Sequence, residues 1–190
     1  MSFAFFRRLT VAAALGFGLI ASAGAVQYTT VDTDASEVSF SYSQMNVGMS
    51  GGFGQVQATG FAFDPANPEA AQVVIEIPLA SIDAGYDEAN AELEKEEWLA
   101  LADHPLAKFE STQVKALGDN RYEVTGQLTI KGQTKEVTVP FTFNEEGDTG
   151  IFEGSFVFQR ADFGIGEGMW GDFSIVANDI EIKFRLVAKA

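Results

Sequence analysis

The chain has 190 residues, a net charge of −15, one histidine and no cysteine. Without cysteine it forms no disulfide and no thiolate metal site. Its negative surface would repel phosphate backbones, so nucleic acid is not an expected partner.

The first 25 residues have the features of a secretory signal peptide. Two arginines precede the apolar run 9–20, and the small residues that follow offer cleavage after Ala23 or Ala25. The run is shorter than the roughly 20 apolar residues that a membrane-spanning helix needs. We therefore expect a periplasmic or secreted protein with one domain over 26–190 and no stable membrane insertion after cleavage. Losing the two arginines takes the net charge from −15 to −17.

Segments in which apolar and polar residues alternate dominate the mature chain, and this period of two indicates half-buried β-strands. Val38, Phe40 and Tyr42, for example, alternate with serines. The glycine-rich stretch 48–54 is interpreted as a turn. Sequential antiparallel strands in this number close into a barrel or pack as two sheets. The predicted strands are 38–43, 55–63, 73–79, 109–116, 122–130, 137–143, 152–158 and 180–186.

One long segment, 81–105, lacks this alternation. Its residues over 87–102 are rich in Ala, Leu, Glu and Lys, which favour a helix. The apolar residues do not share one face, so we expect two short helical pieces. Leu93, Trp98 and Leu101 would lie on an open end of the β structure, as a lid.

The sequence singles out no catalytic or metal-binding group. His104 is the only histidine, and its position between Asp103 and Pro105 favours a surface or capping role. Acidic clusters lack the pattern of a calcium loop and are interpreted as solvated turns. The glycines over 164–168 lack the spacing of a dinucleotide site. We expect no cofactor and no resident metal.

Several segments together resemble the YceI-like family. LTIKGQTKEVTV at 128–139 is similar to the family's hairpin, AKFEST at 107–112 to one of its strands, and RADFGIG at 160–166 to its arginine-containing turn. Shorter similarities fall at 38–40, 52–54 and 81–105. One position departs from the pattern, because Gln44 precedes Met45 where many members carry a histidine.

The resemblance implies an all-β fold, an eight-stranded antiparallel lipocalin-like barrel with a short helical segment between strands. Its apolar interior would hold a long isoprenoid lipid, with a polyprenyl or quinone tail, in the periplasm of a bacterium. Arg160 would meet a phosphate or quinone carbonyl at the mouth, or pair with an acid such as Asp162. The expected ligand-binding residues are inferred from the strand face on which they lie and from aromatic content. They are Phe40, Tyr42, Phe61, Phe63, Trp98, Leu101, Phe109, Phe141, Phe158, Arg160 and Trp170.

Three functions stay open. The first is a non-enzymatic carrier of a long isoprenoid lipid. The second is a hydrolase or isomerase acting on a small apolar substrate, which would need an inward carboxylate pair or a buried His104. The third is an interaction module that binds a cationic partner through its acidic surface and has a filled interior. The oligomeric state, a homodimer included, also stays open.

Overall fold

The computed structural model describes residues 26–190, so the expected signal peptide and its cleavage sites lie outside the described residues. The fold is a curled antiparallel sheet that forms a half-barrel, with one short helix, α1 (Asp87–Leu93). The strands are β1 (Thr30–Val31), β2 (Glu37–Gln44), β3 (Val47–Phe53), β4 (Gln57–Ala62), β5 (Gln72–Pro78), β6 (Ile82–Asp83), β7 (Leu106–Gly118), β8 (Arg121–Ile130), β9 (Gln133–Glu146), β10 (Thr149–Gln159) and β11 (Asp179–Lys189). No helix within residues 26–190 is both long enough and apolar enough to cross a membrane.

The strands pair in the order β4-β5-β7-β8-β9-β10-β11-β2-β3-β6, and β1 adds to β11. Within the described residues no ladder joins β3 to β4, so the path of pairing stays open between them. The predicted hairpin is confirmed: β8 and β9 pair from Ile130 and Gln133 outwards. Lys131 and Gly132 form its turn with φ of 49° and 73°, the left-handed pair that a two-residue hairpin needs.

The all-β class, the antiparallel order and the helical interruption are confirmed, but the predicted eight-stranded barrel is a half-barrel with a different strand count. Nine strands have six residues or more, where eight were predicted. The difference is β3, because the stretch 48–54 was interpreted as a turn. The reversal comes earlier, at Met45 and Asn46, which both have positive φ. Gly51 belongs to the wall of the sheet, where any side chain would overlap the ring of Phe40 on β2.

The prediction of two helical pieces is wrong in its second part. After α1 the chain continues in hydrogen-bonded turns rather than in a second helix. Ala100 has a left-handed φ of 48°, which a helix cannot contain. The tertiary structure also draws Trp98, Leu99 and Ala100 into the interior, each less than 10% exposed. Burial on three successive residues is incompatible with a surface helix, whose buried positions are three or four residues apart.

Two groups of buried side chains occupy the two ends of the half-barrel. The first, here called the floor cluster, is mainly aromatic and includes Tyr28, Phe63, Tyr122, Phe143 and Phe152. Its rings meet mostly edge to face, with centroids 5.0–6.4 Å apart. The second, here called the mouth cluster, lies near α1. It includes Leu79, Trp98, Leu99, Phe163, Ile165 and Val176.

Candidate functional site

An apolar cavity of about 490 Å³ lies between the two clusters. Strand alternation creates it, because one face of each strand points inward and that face is apolar. On β11, for example, Ile182, Phe184 and Leu186 line the cavity, whereas Lys183 and Arg185 between them do not. The volume is within the range of small-molecule sites.

Ten of the eleven expected ligand-binding residues line this cavity. Phe63 and Phe141 belong to the floor cluster, and Trp98 to the mouth cluster. The exception is Leu101, which packs partly buried against the mouth cluster without lining the cavity. The ten are Phe40, Tyr42, Phe61, Phe63, Trp98, Phe109, Phe141, Phe158, Arg160 and Trp170.

Sequence reasoning missed Phe184 as a wall residue, and it missed the two glycines that the rings of Phe184 and the expected Phe109 cover. Phe184 and Phe109 line the cavity, and each ring covers an inward glycine of the next strand. A Cβ at Gly154 would lie 2.7 Å from Phe184, and one at Gly126 would lie 2.6 Å from Phe109. Both glycines therefore let a ring lie flat against the sheet and keep the cavity open. The alternation of β8 and β10 already placed these glycines on the inward face.

Polar side chains contact the cavity mainly at its mouth. Trp98 and Trp170 lie with ring centroids 5.4 Å apart. The Trp170 indole donates a 3.1 Å hydrogen bond to Glu92 on α1. Glu92 also accepts a hydrogen bond from Lys95, which lowers the pKa of its carboxyl. Gln44, the position where many members of the resembled family carry histidine, lines the same mouth.

Arg160 serves the structure of the mouth rather than a ligand headgroup. Its side chain is 1% exposed, and its five N–H groups point to five backbone carbonyls. The acceptors are the carbonyl oxygens of Ile165, Gly166, Trp170, Val176 and Ala177, at 2.7–3.0 Å. Since guanidinium has five donors, none remains for a phosphate or quinone carbonyl. The expected alternative, an ion pair with Asp162, is not formed either.

Arg160 therefore joins separate parts of the loop 164–177, which forms one wall of the mouth. Its guanidinium carbon lies 5.6 Å from the Trp98 ring and 5.2 Å from the Phe173 ring. These aromatic faces favour a cation. Burial lowers the pKa of Arg160, but arginine stays protonated in proteins.

The remaining candidate groups lie apart from the cavity. His104 lies against Gly132 in the β8–β9 turn and does not line the cavity. Within residues 26–190, no three His, Cys, Asp or Glu side chains come together as metal ligands would. Among the acids, Glu88 and Glu92 reach the cavity, both from α1 at its mouth.

Comparison with known proteins identifies the family of this chain. The profile of the YceI-like domain matches residues 29–188, which is nearly all of the described chain. The chain belongs to the YceI-like domain family. A UPF0312 protein of Azotobacter vinelandii is 31% identical over 169 residues, covering 84% of this chain and 88% of that protein.

Solved structures of YceI-like and related proteins share the fold. BcnA of Burkholderia cenocepacia is 40% identical, with a TM-score of 0.81, over 84% of this chain and 99% of that one. A domain of Saccharophagus degradans, described as polyisoprenoid-binding and implicated in plant cell wall breakdown, has a TM-score of 0.68. It is 14% identical and covers 86% of this chain and 98% of that domain. At that identity the likeness shows the fold alone.

Proposed function

We propose that the chain is a non-enzymatic binding protein that carries a long isoprenoid lipid, with a polyprenyl or quinone tail, in the bacterial periplasm. The observation that carries this proposal is the cavity itself: about 490 Å³ enclosed by aliphatic and aromatic side chains. Burying an apolar tail there removes its surface from water at about 25 cal/mol per Å². Like a lipocalin, the half-barrel would hold the tail between its inward-facing side chains.

The distribution of polar groups gives the ligand a direction. The inner end of the cavity is formed by Phe63, Phe141 and Phe152, which are all less than 10% exposed. The other end has Gln44, Glu88 and Glu92 beside two tryptophans. A polar headgroup is therefore stable only at the mouth, and the tail extends towards the floor cluster.

The relationship to other YceI-like domains supports the same class of ligand. The Saccharophagus degradans domain that shares the fold is described as polyisoprenoid-binding. The apolar interior and the expected signal peptide agree with a carrier that binds lipids outside the cytoplasm.

The enzyme hypothesis is less well supported. Of the two acids at the mouth, Glu88 is exposed, and the hydrogen bond from Lys95 lowers the pKa of Glu92, which disfavours Glu92 as a proton donor. Both oxygens of Glu92 are already hydrogen-bonded, one to Trp170 and one to Lys95. His104, the remaining general base that this hypothesis required, lies outside the cavity.

The interaction-module hypothesis required a filled interior, and the 490 Å³ cavity contradicts that requirement. The acidic surface still acts on solubility and on the choice of partner. Neither effect needs an empty apolar interior.

Titration of lipid-stripped, refolded protein with a quinone that carries a long isoprenoid tail tests the proposal. The chain's two tryptophans, Trp98 and Trp170, both line the mouth, so their fluorescence should be quenched on binding. We expect saturable quenching and a rise in melting temperature at equimolar quinone. No quenching and no thermal shift would refute the proposal.

A matched pair of variants locates the site. Phe158 and Val157 are neighbours on β10, and the first lines the cavity while the second is 58% exposed on the outer face. Phe158→Ser should weaken quinone binding about tenfold, because the lost ring contact with the tail is worth about 1.4 kcal/mol. Val157→Ser should leave the affinity unchanged. Equal effects of the two substitutions would place binding elsewhere.

A further inference from the structure

Five large hydrophobic side chains are exposed around the cavity mouth. Met45, Val47, Tyr86, Met169 and Phe173 are 44% to 76% exposed, and we call them the mouth patch. They come from three separate segments, namely the β2–β3 hairpin, the residue before α1, and the loop 164–177. Exposed apolar groups that gather from separate segments mark an interaction surface more reliably than scattered ones do.

Backbone contacts join two of these segments, and the third borders the same cavity. The Met45 N–H donates to the Ile175 carbonyl at 2.8 Å, and Gln44 forms an isolated β-bridge with Val176, which joins the hairpin to the loop. Tyr86 itself lines the cavity while it is 44% exposed, so the cavity opens to the surface beside it. The mouth patch therefore surrounds the opening through which a ligand must pass.

The charged residues next to the mouth patch in sequence are negative. Asp87 and Glu88 follow Tyr86, and Asp172 precedes Phe173. No ion pair within residues 26–190 involves these three carboxylates. Hydrogen bonds from Ser174 lower the pKa of Asp172, which keeps it ionised. An anionic surface would be repelled here, whereas an uncharged apolar one would not.

We propose that the mouth patch docks transiently on a lipid bilayer whose headgroups carry no net charge. This inference rests on the proposed function, because a long isoprenoid tail is insoluble in water and is available mainly in a bilayer. Docking would press the exposed Met, Val and Phe side chains into the headgroup boundary around the opening. The tail could then move between bilayer and cavity without crossing water.

The test compares loading from vesicles with loading in solution. Donor vesicles of phosphatidylcholine carry a quinone with a long isoprenoid tail, and loading is followed by quenching of Trp98 and Trp170 in the mature chain. Two variants alter the mouth patch independently: Met45→Ser/Val47→Ser and Met169→Ser. The control, Leu117→Ser/Val157→Ser, removes two hydrophobic side chains of similar exposure, 52% and 58%, that lie outside the mouth patch.

We expect each mouth variant to load at least fivefold more slowly from the vesicles, and the control to load within twofold of the wild-type rate. All variants should bind the same quinone presented in cyclodextrin with affinities within twofold of wild type. Replacing part of the phosphatidylcholine with phosphatidylglycerol should slow the wild-type loading at low salt.

Wild-type loading rates in both mouth variants would overturn the inference, as would faster loading from the phosphatidylglycerol vesicles. Loading that requires an added protein would also overturn it, in favour of a protein partner at the mouth. Failure of the wild type to bind the quinone from cyclodextrin would instead refute the proposed function, and this inference with it.

Discussion

Replacing Arg160 by lysine should destabilise the fold strongly, although the substitution keeps the positive charge. The guanidinium donates to five carbonyl oxygens from the loop 164–177 at 2.7–3.0 Å, and the side chain is 1% exposed. A lysine ammonium has three donors on one nitrogen and cannot reach acceptors arranged around a planar fork. At least two of the five carbonyls would lose their partner.

The size of the effect follows from those lost bonds. An unsatisfied buried polar group costs about 1–3 kcal/mol, so two of them suggest a loss of about 3 kcal/mol in the free energy of unfolding. For a domain of this size, each kcal/mol lowers the melting temperature by about 2–4 °C. We therefore expect Arg160→Lys to melt about 6–12 °C below the wild type.

Urea unfolding of the mature chain, followed by near-ultraviolet circular dichroism, measures this directly. Arg185→Lys is the matched control. Arg185 is also on the sheet, but its side chain is 44% exposed and it makes one 3.3 Å hydrogen bond and one 3.6 Å ion pair, to Glu153. That substitution should change the free energy of unfolding by less than about 0.5 kcal/mol.

The reasoning would be refuted if Arg160→Lys unfolded with nearly wild-type stability. If the variant also lost affinity for a polyprenyl phosphate but kept affinity for the uncharged alcohol, Arg160 would be a headgroup ligand after all. Its five backbone acceptors would then not describe the ligand-bound state.

Three further predictions concern the walls, the floor and the surface. Gly154→Ala should lower the melting temperature and weaken quinone binding, because the added Cβ would overlap the Phe184 ring. Gly52→Ala is the control and should do neither, because the atom nearest to its added Cβ would be 3.6 Å away. Phe63→Ala should cost about 3–5 kcal/mol in urea unfolding, since this 1% exposed ring contacts four other aromatic rings. Lys189 lowers the pKa of Asp32. The ion pair therefore stabilises the fold above the unfolded pKa of Asp32, about 3.9, and this stabilisation is lost as the pH falls through the lower pKa that Asp32 has in the folded state. Asp32→Asn should accordingly melt below the wild type at neutral pH, and the two melting temperatures should converge in acid.

The parts of the fold that the sequence predicts are those where local pattern and tertiary structure agree. The β8–β9 hairpin combines strict alternation with Lys131 and Gly132 at its turn, and it forms as predicted. β3 was missed because four of the seven residues over 48–54 are glycine, which local propensity assigns to turns. The role of Gly51 depends on the tertiary structure, because only a glycine there leaves room for the Phe40 ring of the adjacent strand.

The same distinction explains the site. Phe40 and Phe109 could be placed on an inward face from alternation, and they line the cavity. The part played by Arg160 could not be predicted, because its acceptors lie on irregular backbone between 165 and 177 and no sequence pattern encodes their convergence. Leu101 was expected to form a lid with Trp98, but the chain turns at the left-handed Ala100 between them, and Leu101 does not line the cavity.

Native mass spectrometry of the mature protein, purified gently from a bacterial envelope, shows whether the cavity holds an isoprenoid lipid. We expect a one-to-one complex that releases an isoprenoid lipid on activation, and extraction would then identify its headgroup and tail length. A protein that is empty, or that carries only straight-chain phospholipid and does not exchange it for an added isoprenoid quinone, would contradict the account.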